Sequence, residues 1–169
     1  MRMALALSML LAWHANAGAT SLLQPGDPFP GWTLTDQTGA AVSSKDLGGR
    51  TYVVWFYPKA MSPGCTAEGR GFRDEVEGFR QRGVEILGVS FDPPYANAEF
   101  AKAEGFQFRL LSDQDRKLAV AVGAADDPTS PVARRISYLV GPDGKVRKTY
   151  GIVTPSSHAK DVLCDLPAQ

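Results

Sequence analysis

Tyr52-Val53-Val54-Trp55-Phe56-Tyr57-Pro58 is the stretch of this sequence from which a fold can be read. Apolar and aromatic residues follow one another without alternation and stop at a proline, the pattern of a central strand buried on both faces. Val84-Glu85-Ile86-Leu87-Gly88-Val89-Ser90 reads as a second such strand. Between them, residues 65–82 have helical period, with Phe72, Val76 and Phe79 on one face. Strand, helix and strand at that spacing form a βαβ unit and imply a parallel pair.

The flanks extend this unit. Residues 24–31 read as an extended lead-in, and residues 32–35 and 40–43 as a short hairpin around Asp36-Gln37-Thr38-Gly39. Beyond the second strand the pattern predicts a helix over 95–104, a strand over 108–111 and a helix over 116–122. Residues 124–131 are a loop by composition. Strands over 136–140 and 145–150 are joined by Gly141-Pro142-Asp143-Gly144, a hairpin signal, and a last helix covers 156–166. The expectation is an α/β fold with a central mixed β-sheet flanked by helices, parallel in the middle and antiparallel toward the carboxyl terminus.

Composition narrows the function. The 169 residues carry 18 Lys+Arg against 18 Asp+Glu, with 44% hydrophobic residues. That is ordinary for a globular chain and excludes disorder. A zero net charge with no basic stripe gives no support to nucleic-acid binding. Two cysteines cannot build a disulfide scaffold or a four-cysteine zinc site. The two histidines, His14 and His158, cannot build a metal site either, so no metal or other cofactor is expected.

Residues 1–17 read as a secretory signal peptide. Met1-Arg2-Met3 is basic, residues 4–13 are apolar apart from Ser8, and Ala15-Asn16-Ala17 fits a small-x-small cleavage site, with Ala17-Gly18-Ala19 as the alternative. The apolar run is too short to span a bilayer, so no membrane association is expected. Cleavage leaves 18–169 as a single domain, large enough to be stable without a disulfide. The implied location is an exported one, the bacterial periplasm.

Pro58-Lys59-Ala60-Met61-Ser62-Pro63-Gly64-Cys65-Thr66 joins the buried strand to the helix and puts Cys65 in the helix's first turn. Unpaired N–H groups and the positive end of the helix dipole favour a thiolate there. Cys65 and Phe72 lie nearly in line, so the sulfur points toward the packed face. A buried free cysteine is commonly no more than a small hydrophobe; the loop around this one argues for chemistry.

Pro58-x-x-x-Ser62-x-x-Cys65 resembles the active-site motif of the peroxiredoxins, and the string 56–66 is similar to their bacterioferritin-comigratory, or Q-type, branch. The resemblance continues through Phe72-Arg73-Asp74, residues 83–90, Leu110-Leu111-Ser112-Asp113 and residues 135–140, covering about 26–166. It implies a thioredoxin-like fold and a thiol-dependent peroxidase. Cys65 would attack a peroxide oxygen and become a sulfenic acid. Ser62 would hydrogen-bond the peroxide, and the N–H groups of Gly64 and Cys65 would stabilise charge on its oxygens. Arg135 would set a fixed cation beside the sulfur, Pro58 would shape the loop and shield the sulfur, and Glu68 would buttress the hydrogen bonds. Ser62 also suits a helix cap, and Glu68 suits a first-turn acid. Arg134, Arg73 and Asp74 read as solvated charges, His158 as a surface residue, and Trp32 and Trp55 as core.

The sequence departs from that branch in one respect. The position five after the nucleophile, where many relatives carry a resolving cysteine, holds Arg70, and Cys164 is the only other thiol. Either an external donor, a thioredoxin-type protein or a small thiol, reduces the sulfenic acid, or Cys164 resolves it within or between subunits of a monomer or homodimer. The first is favoured, because Cys164 falls off the apolar stripe of Val162, Leu163 and Leu166, and nothing brings that helix to the loop. Gly69, Gly71 and Gly78 either loosen the active-site helix or allow close packing. Two other readings compete: an exported thiol–disulfide oxidoreductase, which lacks the usual second thiol of C-x-x-C, and a non-catalytic binding module such as a copper carrier, which lacks a second soft ligand.

Overall fold

The computed structural model describes residues 21–166; the expected signal peptide and its cleavage sites lie outside the described residues. Seven strands form one sheet: β1 (Thr33–Asp36), β2 (Ala41–Ser43), β3 (Thr51–Phe56), β4 (Val84–Ser90), β5 (Arg109–Ser112), β6 (Ile136–Val140) and β7 (Val146–Tyr150), in the order β2-β1-β5-β4-β3-β6-β7. β3, β4 and β5 run parallel, while β6 pairs antiparallel with β3 and β7 with β6. The mixed sheet expected from the sequence is therefore present. The amino-terminal hairpin adds a second antiparallel edge, through Thr35 opposite Ser112 and Asp36 opposite Leu111. Short-range turn signals define a hairpin but carry no information about which sheet edge it joins.

The alternation of β3 explains its unbroken apolar run. Val54 and Phe56 belong to a core layer with Trp32, Leu47 and Leu118. Val53, Trp55 and Tyr57 belong to the opposite layer, with Phe72, Phe79, Phe100 and Val162. The second layer is closed by helices α1 (Pro63–Asp74), α2 (Val76–Gln81), α3 (Pro94–Glu104) and α5 (His158–Cys164); the first is closed by α4 (Lys117–Ala121) and the amino-terminal segment. Trp32 and Trp55 are core, as expected.

Two helices depart from expectation. The helix read as continuous over 65–82 starts two residues earlier and breaks at Glu75, whose φ of −98° and ψ of 4° leave the helical basin. The bend leaves both Phe72 and Phe79 at zero exposure. The last helix is shorter than predicted: residues 154–157 form turns, closed by the Ser157 and His158 N–H groups on the Thr154 carbonyl at 3.1 and 3.0 Å, and α5 begins at His158.

Candidate active site

The chain leaves β3 at its carboxyl end, passes half-buried Pro58 and turns through Met61, whose φ of +63° is left-handed, before entering α1. Ser62 is the residue preceding α1, with Pro63 in the first turn, where its missing N–H costs nothing. The Ser62 side chain makes no cap; its hydroxyl donates to the Lys59 carbonyl at 2.9 Å, while its carbonyl accepts the Thr66 N–H at 2.8 Å. Gly64 and Cys65 occupy the first turn, whose N–H groups have no acceptor within the helix.

Cys65 is free and fully buried. Arg135, at the entrance to β6, reaches across to it: Nη2 donates to the sulfur at 3.3 Å and Nη1 to Glu68 Oε2. Because β6 is antiparallel to β3, with Phe56 opposite Ile136, the start of β6 lies beside the end of β3. That pairing brings together two residues seventy apart in sequence. A Cβ on Gly64 would stand 3.0 Å from Arg135 Nη2, so the guanidinium lies against bare backbone. Arg134 points elsewhere, to Asp126 and the Gly123 carbonyl.

Glu68 is at zero exposure. Burial pushes its carboxyl up to about 7, against the opposing pull of Arg135. Its second oxygen, Oε1, has no hydrogen-bond partner. His158 stands 3.9 Å from that oxygen. The expectation of a surface histidine is wrong: His158 is 2% exposed, bonded through Nε2 to Ser137 Oγ at 2.9 Å. Burial pushes its imidazole down to about 4, so it is neutral at neutral pH. The turns over 154–157 set the register that turns this side chain inward; helical spacing alone could not fix it.

Cys164 is exposed, at the far end of α5. Its neighbour Leu163 packs where a Cβ on Gly78 would meet it at 3.0 Å, so that end of the helix lies beside α2. Arg70 pairs with Glu104 of α3 at 2.6 Å. Of the three glycines, Gly69 is required by packing: a Cβ there would come within 2.4 Å of the Phe106 ring.

A free thiol at the start of a helix, at the carboxyl end of the parallel strands of a thioredoxin-like sheet and against a guanidinium, marks a thiol enzyme. Residues 25–149 match the AhpC/TSA family, and the chain belongs to that family: it is a peroxiredoxin, a thiol peroxidase. It is 37% identical over 146 residues to peroxiredoxin Bcp of Escherichia coli K12, covering 83% of this chain and 94% of that protein. The crystal structure of peroxidoxin BcpB from Mycobacterium tuberculosis superposes with a TM-score of 0.79 at 30% identity, over 85% of this chain and 96% of that one. The Xanthomonas campestris bacterioferritin comigratory protein, described for its alkyl peroxide reduction, matches with a TM-score of 0.75 at 28% identity, over 87% and 97%.

Proposed function

We propose that Cys65 is the peroxidatic nucleophile and that the chain reduces hydrogen peroxide and organic hydroperoxides as an antioxidant enzyme. The thiolate attacks one peroxide oxygen, the O–O bond breaks, and water or an alcohol leaves once protonated. The sulfur, oxidised by two electrons, becomes a sulfenic acid. The carrying observation is the Arg135 Nη2 contact with the sulfur at 3.3 Å. A guanidinium there favours the thiolate and the charge passing to the oxygens. The first-turn N–H groups of Gly64 and Cys65 add donors, and Ser62 offers a hydroxyl at the loop's mouth. Pro58 walls the sulfur, and Glu68 braces Arg135.

Organic hydroperoxides are favoured by the rim. Met61, Tyr95, Val132 and Ile152 are exposed by 56, 71, 43 and 98%. All four lie in segments at the carboxyl end of β3 and β4, where an alkyl group would rest.

The sulfenic acid is recycled by an external thiol, of thioredoxin type or of low molecular weight, rather than by Cys164. Gly78, beside the Cys164 end of α5, lies in α2 beyond the break at Glu75, and the nine residues from Cys65 to Asp74 alone take up about 14 Å of helical rise. A disulfide needs Cα atoms within about 7 Å. The pattern of residues 1–17 favours work in an exported compartment, the bacterial periplasm.

Cys65→Ser tests the reading. The swap is nearly isosteric, but the hydroxyl stays protonated and is a poor nucleophile. Peroxide reduction should vanish with the circular dichroism unchanged; residual activity above about a tenth of wild type would rule Cys65 out as the nucleophile.

A further inference from the structure

The peroxidase reading uses Cys65, Glu68 and Arg135 and gives no role to a buried titratable side chain beside them, His158. His158 lies ninety residues from Glu68 in sequence, yet its Nε2 stands 3.9 Å from the carboxylate oxygen that has no hydrogen-bond partner. Arg135 spans the gap between Glu68 and the sulfur, one nitrogen on each. The position and charge of Glu68 therefore decide how firmly the guanidinium is held and how much of its charge the sulfur feels. Glu68 Oε2 is committed to Arg135, so the remaining freedom of this carboxyl lies at Oε1, and His158 is what stands there.

His158 is itself fixed on every side. Ser137 Oγ is 2.9 Å from Nε2. Phe72 of α1 and Tyr150 of β7 meet the ring edge to face, at centroid distances of 5.5 and 5.1 Å. The titratable and charged groups around it are Glu68 from α1, Arg135 from the entrance to β6, Tyr150 from β7, whose hydroxyl donates to Asp165, and Asp161 one turn along α5. A ring so held cannot swing out to solvent to ease its burial. Burial and Arg135 both disfavour its cation, and Asp161 only partly opposes them. The ring thus offers Glu68 a polar edge without adding a second positive charge beside Arg135.

We propose that His158 is a positioning residue of the peroxidase: held by Ser137, it backs Glu68 Oε1 and thereby sets the ionisation of Glu68 and the placement of Arg135 against the Cys65 sulfur. The inference rests on the peroxidase reading of Cys65. His158→Phe keeps the ring volume and its aromatic contacts but removes Nε2. Glu68 Oε1 then loses the polar ring nitrogen that stands 3.9 Å from it, which disfavours its anion further. A neutral carboxyl accepts a weaker hydrogen bond from Arg135, so the guanidinium is less firmly placed.

The test follows two signals in wild type, His158→Phe, His158→Gln, Ser137→Ala and Glu68→Gln. One is the carboxylic-acid carbonyl stretch in an infrared pH titration, assigned to Glu68 by its loss in Glu68→Gln. The other is the stopped-flow rate of Cys65 oxidation by hydrogen peroxide. In His158→Phe the Glu68 midpoint should rise by at least about half a pH unit and oxidation at pH 7 should slow at least about threefold. His158→Gln, which keeps a polar group in place of the ring nitrogen, should fall between that variant and wild type. Ser137→Ala should move both signals the same way by less. A His158→Phe protein with the wild-type midpoint and rate would overturn the inference. So would equal slowing in His158→Phe and His158→Gln with an unmoved midpoint, which means packing alone. If His158→Phe does not fold, an unmoved midpoint in Ser137→Ala overturns it. A wild-type Cys65 that ignores peroxide would instead defeat the peroxidase reading beneath it.

Discussion

Two of the buried polar clusters among the described residues are built differently. The first centres on Asn97 of α3, whose Oδ1 accepts from the Tyr57 hydroxyl at 2.7 Å and from Ser90 Oγ at 3.4 Å, and whose Nδ2 donates to Ser112 Oγ at 3.1 Å. Every polar atom of the amide has a partner, and the cluster ties α3 to the ends of β3, β4 and β5. The second centres on Glu68, where one carboxylate oxygen holds Arg135 and the other holds nothing. A completed network stabilises and carries no charge that can be moved; an incomplete one costs stability and keeps a group poised to respond. On the proposed function, the contrast separates scaffold from chemistry within a few residues of each other: Tyr57 serves the first, and Pro58 opens the loop of the second.

The largest effect that tests this division is on rate. Arg135→Ala should slow the attack of Cys65 on hydrogen peroxide at least tenfold, roughly the loss of one charged transition-state contact. Arg135→Lys should recover only part, because a point charge replaces a planar fork that reaches both Glu68 and the sulfur. Stopped-flow kinetics on both variants decide it; wild-type rates in both would move the chemistry away from the Glu68 cluster.

The next effect is on stability alone. Asn97→Ala strands the Tyr57 hydroxyl and the Ser112 hydroxyl in the core and should cost about 2–4 kcal/mol in denaturant unfolding. Peroxide consumption per folded molecule should stay within about twofold. A large loss of rate with little loss of stability would erase the distinction between the clusters.

Glu68→Gln should act in the opposite sense. The Glu68 carboxyl stands at about 7 in the fold against 4.5 when solvated. Between those values the folded chain keeps a proton that the unfolded chain has released, so this residue's contribution to stability is full below pH 4.5 and falls as the pH rises to 7. Removing the charge should raise stability at pH 8 by about 1–3 kcal/mol and leave it unchanged at pH 4. His158 runs the other way. Its imidazole is lowered from 6.5 to about 4, so its contribution is full above pH 6.5 and is lost as the pH falls toward 4. Thermal melts across pH 4–8 would expose both slopes, and a wild-type slope surviving in Glu68→Gln would assign it to another group.

The smallest effect expected is none. Cys164→Ser should leave the first peroxide turnover unchanged, since Cys164 is exposed and lies beside α2 rather than at the loop. Non-reducing mass spectrometry after one equivalent of peroxide checks it, and a stoichiometric Cys65–Cys164 disulfide would overturn external recycling.

The parts of this picture legible in the sequence are those carried by local signals. Val84–Ser90 appears with the bounds its apolar run predicts, and β3 ends at Phe56, one residue before the end of the run that Pro58 closes. The 58–66 loop announces a cysteine in a first helical turn, and the structure puts it there. What could not be read depends on distant partners. The break at Glu75 leaves no proline or glycine at the break itself. The Asn97 network joins residues up to forty positions apart, none unusual alone. His158 looks like any polar residue near a helix start until the turns before it fix which way it points. Gly69 admitted two readings, and only the ring of Phe106 above it decides between them.

That ring belongs to a feature with a consequence for the enzyme's lifetime. Phe106 pressed on Gly69, the Arg70–Glu104 pair and the Arg73 bond to the Glu104 carbonyl at 3.0 Å clamp α1 to the end of α3. In a chain whose helix carried its own resolving thiol, such a clamp would obstruct the unwinding that lets two sulfurs meet. Here Arg70 occupies that position and contributes to the clamp instead. Under the external recycling proposed above, an oxidised Cys65 waits for a thiol to arrive from outside, and during that wait its rival is a second peroxide molecule, which would carry the sulfur on to the sulfinic acid. On that proposal the number of cycles one molecule survives is set by the ratio of reductant to peroxide around it, and the clamp would make the enzyme a counter of that ratio.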